Sequence, residues 1–183
     1  MGATVAPVVR RPNPTAVGIA IWLASEVMFF GGLFAAYFAI RAANDDWPPQ
    51  GIHLDTVRAA LFTLVLVASS FTLHAAERGS HRGARTWTLA TLALGAIFLA
   101  NQAAEWASND FSVSTNAYGS MYYALTGFHG LHVAVGLVLL AIVGLRDPDA
   151  PSSVPGLRQA TSWYWHFVDV VWVCLFATIF LIR

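Results

Sequence analysis

The sequence predicts an all-α, polytopic membrane protein: a bundle of five transmembrane helices. Three observations lead there. Of the 183 residues, 57% are hydrophobic and only 11% charged, against roughly 25% charged in soluble domains, and the mean hydropathy is +0.59. Five runs stay apolar for about 20 residues each, the length a helix needs to cross a ~30 Å hydrocarbon core. Ionisable side chains stand inside those runs, where a charge costs about 2.5–3.5 kcal/mol on insertion scales and so faces protein or trapped water.

The first run, 16–40, follows Arg10-Arg11. It is longer than the roughly 7–15 apolar residues of a cleavable signal and contains Glu26, so it is expected to stay as a helix, with the twin arginines as an inner-face anchor. A connection holding Asp45-Asp46 and Trp47-Pro48-Pro49 leads to the second run, 56–75. Residues 77–85, with Arg78, Arg82, Arg85 and two glycines, separate it from the third, 87–107. The weakly charged stretch 109–120 precedes the fourth, 121–144. Pro148, Pro151 and Pro155 keep much of 146–160 non-helical before the fifth run, 162–182. No linker is long enough to divide domains and no internal repeat is visible. The organisation is a short amino-terminal segment, 1–15, and one five-helix unit, 16–183.

Arginine placement predicts the orientation. With the amino terminus in the cytoplasm, seven arginines (10, 11, 78, 82, 85, 146 and 158) fall inside and three (41, 58 and 183) outside, as the positive-inside rule prefers. The carboxyl terminus is then outside. A formal net charge of zero argues against nucleic acid as a partner. The single cysteine, Cys174, can form no internal disulfide and is expected to pack as a small hydrophobe. Gly31–Ala35 and Gly32–Ala36, at i, i+4, predict a tight helix contact on the first helix, and Gly127 with Gly130 predicts another on the fourth. Trp47, Trp87, Trp106 and Trp163 fall near helix ends, where aromatic belts sit.

The intramembrane polar groups are the candidate functional residues. Glu26 lies ten residues into the first helix, so about 15 Å deep. A carboxyl group at that depth serves either a proton-linked or lipid-linked site or an interhelical hydrogen bond. His129 and His132 stand at i, i+3 on the fourth helix. Such a pair can ligate metal or haem, but only His166 adds another imidazole at depth, so interhelical hydrogen bonding is the stronger reading. His166 and Asp169 repeat the i, i+3 spacing one to two turns into the fifth helix, where a cluster with Glu26 is geometrically open to them. Asn101, Gln102 and Glu105 lie at the outer end of the third helix, where a solvated or capping role is expected.

Several of these residues sit in longer strings. Thr126-Gly127-Phe128-His129-Gly130-Leu131-His132-Val133 and Tyr164-Trp165-His166-Phe167-Val168-Asp169-Val170-Val171-Trp172 resemble two signatures of subunit III of the haem–copper oxidases. Ser25-Glu26-Val27-Met28-Phe29-Phe30 resembles the string carrying that family's membrane-buried carboxylate, and Trp47-Pro48-Pro49, Gln102 with Glu105, and Tyr118-Gly119-Ser120 match in the same order. The resemblance implies a metal-free, non-catalytic subunit of a proton-pumping respiratory oxidase in a bacterial plasma membrane. Haem and copper would lie in subunits I and II, and oxygen would be reduced to water in subunit I. This chain would pack on subunit I, bind phospholipid and support proton uptake. Glu26 would be the buried carboxylate; His129, His132, His166, Asp169 and Glu105 would have structural or polar-network roles. Glu26 and Tyr164-Trp165 look closer to the cytochrome c branch than to the ubiquinol oxidases. The five-helix form with Arg11-Pro12-Asn13 resembles the actinobacterial version, implying a cytochrome bc complex as supercomplex partner. Fuller family members have two further amino-terminal helices, so lipid-cleft residues on that side do not carry over.

Two other classes compete with this reading. A small proton-coupled transporter using Glu26, His166 and Asp169 as a relay would be active alone in proteoliposomes, but interrupted helices and internal repeats are not evident. A haem-b anchor ligated by His129 or His132 would show a Soret band, and none is expected.

Overall fold

The computed structural model describes residues 14–79, 81–145 and 156–182, without the side chains of residues 14, 15, 81 and 82. The twin arginines, nearly all of segment 1–15 and the three-proline stretch lie outside the described residues.

Five long helices follow the five apolar runs: α1 (Pro14–Ala42), α2 (Thr56–Arg78), α3 (His81–Ser108), α4 (Ala117–Leu145) and α5 (Leu157–Phe176), the last continuing into a π-helical turn, Ala177–Leu181. Each contains a stretch long and apolar enough to cross a membrane. Their starts follow local chemistry. The Asp55 carboxylate accepts the Arg58 N–H at 2.9 Å and caps α2. At the head of α4 the Asn116 carboxamide oxygen accepts the Gly119 N–H at 2.7 Å. Gly156, at φ 84°, makes the left-handed turn that launches α5.

That turn shifts one helix start from its expected limit; α3 likewise begins at His81 and not at residue 87. The fifth helix begins at Leu157 and not at residue 162, because Arg158 and Gln159 continue the helix instead of preceding it. His166 and Asp169 therefore lie deeper than one to two turns; Asp169 is the central residue of the 25-residue span Leu157–Leu181.

The helices α2, α3, α4 and α5 pack in a ring, each against the next, with α5 closing back on α2; α1 lies outside the ring, against α4 and α5. Trp165 fills the centre, fully buried. Its indole lies against Gly95 of α3 and Gly136 of α4, where a Cβ at position 136 would sit 2.8 Å from the ring and one at position 95 would overlap it. These glycines mark the tight contact. Gly31 and Gly32 do not, since nothing lies within 4 Å of the space a Cβ would take. Small residues permit close approach, but α1 packs instead through the large buried rings of Phe30 and Tyr37. At Gly127 and Gly130 an added Cβ would meet Trp106 and Leu99 only at ordinary contact distance, 3.7 Å in each case.

Apolar side chains also face outward, among them Met28, Val57, Leu64 and Phe71, as expected of helices that meet lipid or other membrane chains. The loop after α1 folds back over the bundle's end: the Trp47 indole donates to the Tyr37 hydroxyl at 2.9 Å and packs on Tyr118, with centroids 5.1 Å apart. Trp47 and Trp106 are thus held by protein, while Trp87 and Trp163 stay exposed.

Candidate functional site

Three separate groups of hydrogen-bonded polar residues join the helices around the candidate residues. The first joins α1 to α4. His132 Nε2 lies 3.0 Å from Glu26 Oε2, with both side chains partly buried. The other ring nitrogen lies 2.7 Å from the Phe128 carbonyl. A carbonyl only accepts, so Nδ1 carries a proton and donates. The Nε2···Oε2 contact then holds one proton, on whichever atom, and the pair is neutral overall. The Tyr164 hydroxyl donates to the His132 carbonyl at 3.1 Å, and Phe30 packs edge-on to the imidazole at 5.0 Å. A stacked pair, Trp22 on Tyr164 at 5.1 Å, continues this aromatic surround.

The second group lines the seam between α2 and α5. Ser162 donates to Glu77 Oε1 at 2.5 Å, the Trp165 indole to Ser69 Oγ at 2.9 Å and the Trp172 indole to Thr63 Oγ1 at 2.9 Å. Between these, Ser70 donates to Asp169 Oδ2, and His166 Nδ1 lies 3.0 Å from the same Ser70 hydroxyl. Having one proton to give, Ser70 accepts from His166 while donating to Asp169. Serine is the middle member, so this is not the nucleophile–histidine–carboxylate order of hydrolytic triads. Glu77 also meets His74 at 3.3 Å near the end of α2.

The third group ties α2, α3 and α4 together. Arg58 Nε donates to Asn101 Oδ1 at 2.7 Å, and the Tyr122 hydroxyl to Glu105 Oε1 at 2.9 Å. Asn101, Gln102 and Glu105 are all buried, which corrects the expected solvated or capping role. Continuation of α4 back to Ala117 brings Tyr118 and Tyr122 over this face and excludes water.

His129 and His132 do not act as a pair. His132 turns to α1, whereas His129 is fully buried against Trp172, 5.0 Å between centroids, and Phe98, 6.1 Å. Neither His129 nitrogen has a hydrogen-bond partner among the described residues, so the interhelical bond expected of it is not made. Nor do Glu26 and Asp169 share a cluster: Glu26 meets α4 and Asp169 meets α2. Cys174 is exposed on α5, and is not a core residue.

The partners of these groups are less legible in the sequence than the groups themselves. Ser69-Ser70 is a pair of adjacent hydroxyls inside an apolar run, and that signal was readable. Thr63 and Tyr122 carry no comparable signal, since each is ordinary in an apolar helix, and the string holding Tyr164 does not name its partner on α4. No three His, Cys, Asp or Glu side chains converge in a metal-ligand arrangement among the described residues.

The family described as "Cytochrome c oxidase subunit III" matches residues 8–182. Similar proteins include a probable cytochrome c oxidase subunit 3 of Nocardia farcinica, 47% identical over 184 residues, covering 95% of this chain and 91% of that one. A probable cytochrome c oxidase subunit 3 of Mycobacterium tuberculosis is 45% identical over 185 residues, with coverage of 95% and 91%. Cytochrome c oxidase subunit 3 of Thermostichus vulcanus is 37% identical over 185 residues, covering 94% and 90%.

Proposed function

This chain belongs to the cytochrome c oxidase subunit III family, and from that membership we propose that it serves as the metal-free subunit III of a respiratory cytochrome c oxidase. In this reading it sits in a bacterial plasma membrane with its amino terminus in the cytoplasm and its carboxyl terminus outside. It packs against subunit I beside subunit II, binds phospholipid and supports proton uptake during oxygen reduction. Haem and copper belong to the partner subunits, and a cytochrome bc complex joins the assembly.

One observation carries the reading: the family match runs through all five helices, and its acid at position 26 meets an imidazole across the α1–α4 contact. A neutral acid–imidazole pair holding one proton has little reason to face hydrocarbon unless it serves packing or proton movement. The partly exposed position of both side chains leaves it reachable from the bilayer or from a neighbouring subunit.

Copurification in mild detergent tests the proposal. The tagged chain should bring down a large polypeptide bearing haem and copper. Glu26→Gln in that complex should keep the initial oxygen-reduction rate while shortening activity under sustained turnover. Normal assembly with loss of the haem spectrum in that variant would remove the non-redox assignment.

A further inference from the structure

We propose that the recess between α2 and α5 beside Asp169 is a docking site for one hydrogen-bond-donating side chain from a transmembrane helix of a partner oxidase subunit. The inference rests on the proposed subunit role and deepens it by locating a contact. The recess holds about 290 Å³, just under the roughly 300–1,000 Å³ of small-molecule pockets and suited to a single long side chain. Its walls are apolar: Val67 from α2, and Val170, Val173 and Cys174 from α5. At its polar edge stand Ser70, His166 and Asp169.

Asp169 is 6% exposed. Ser70 engages its Oδ2, but Oδ1 has no hydrogen-bond partner among the described residues. His166 Nδ1 does not supply that partner, being committed to Ser70. With Ser70 donating to Oδ2, a carboxylate Oδ1 buried at bilayer depth demands a hydrogen-bond donor of its own.

Depth identifies the occupant. Asp169 is the central residue of its span, so it lies about 15 Å from either hydrocarbon boundary. Lipid headgroups and glycerol oxygens lie at those boundaries, and the acyl chains that reach the recess carry no donor. A hydroxyl, carboxamide or cationic side chain on a neighbouring helix does reach it, with apolar flanks that suit the valines. The outward-facing Val170 and Val173 leave that approach open.

A photo-activated crosslinking residue in place of Val173, in the full chain assembled into its oxidase, tests this. Irradiation should join the chain to another oxidase polypeptide. Asp169→Leu, which removes both acceptor oxygens, should cut that adduct at least fivefold, while Asp169→Asn, which keeps one, should retain more of it. If Asp169→Leu chains fail to accumulate, Val67→Phe fills the recess from α2 with the carboxyl intact and should cause the same loss. A protein adduct that persists in the leucine or phenylalanine variant overturns the proposal, as does an adduct with lipid alone. Copurification separates the two readings: lipid-only labelling of a chain that still copurifies removes only the docking site. A chain that never copurifies removes the subunit role.

Discussion

At the scale of single residues, the membrane interior makes each polar atom answer for its partner. His129 is the sharpest case: it is fully buried, packed at a tilt against Trp172, and neither ring nitrogen is paired among the described residues. Leaving a buried polar group unpaired costs about 1–3 kcal/mol, whereas an apolar ring of similar shape avoids that cost. His129→Phe should therefore hold or raise the thermal midpoint of the purified protein in detergent. A clear fall would mean that the imidazole has a partner essential to the fold. Glu26 and His132 give the opposite expectation, because they are in contact at 3.0 Å. A double-mutant cycle of Glu26→Gln and His132→Ala should show coupling of about 0.5–3 kcal/mol. Additive losses would mean that the bond contributes nothing.

Between elements, contact distance is set by which ring must be accommodated. Trp165 lies in the niche formed by Gly95 and Gly136, and its indole reaches through to Ser69 of α2. One side chain thus touches three other helices of the ring. Gly136→Leu should cost about 1–3 kcal/mol or more by overpacking, read as a lowered midpoint in the same assay. Gly31→Leu, facing open space in this chain, should stay within about 0.5 kcal/mol. Equal effects at the two positions would contradict this packing. The α2–α5 seam has a different basis. Polar groups of α2, from Thr63 to Glu77, pair with groups on α5 from Ser162 to Trp172, so the motif resembling a family signature is, physically, the polar face of one helix pair.

Over the whole molecule, a closed ring of four helices with α1 outside it leaves much apolar surface facing outward. That surface suits a chain that works within an assembly. The proposed orientation has its own measurement. With Cys174→Ser as background, His53→Cys between α1 and α2 should react with a membrane-impermeant maleimide added outside intact cells. Gly79→Cys between α2 and α3 should react only after permeabilisation. Both positions are exposed in this chain, so the reverse pattern would invert the topology.

By itself the sequence determined the number of spans, their approximate limits, the family and which polar residues lie at bilayer depth. Each of these is written locally, in runs of apolar residues and in contiguous strings. Pairings were decided only by the tertiary structure. Glu26 meets His132 and not Asp169, Asp169 meets Ser70, and the Asn101–Glu105 face is closed over by α4. A partner across a helix contact depends on how far each helix is rotated and how deep it sits. Starting α5 at Leu157 was enough to carry Asp169 to the centre of its apolar span. Hydropathy sums along one chain segment and carries no record of the segment opposite, so the identity of each neighbour emerges only when the helices pack.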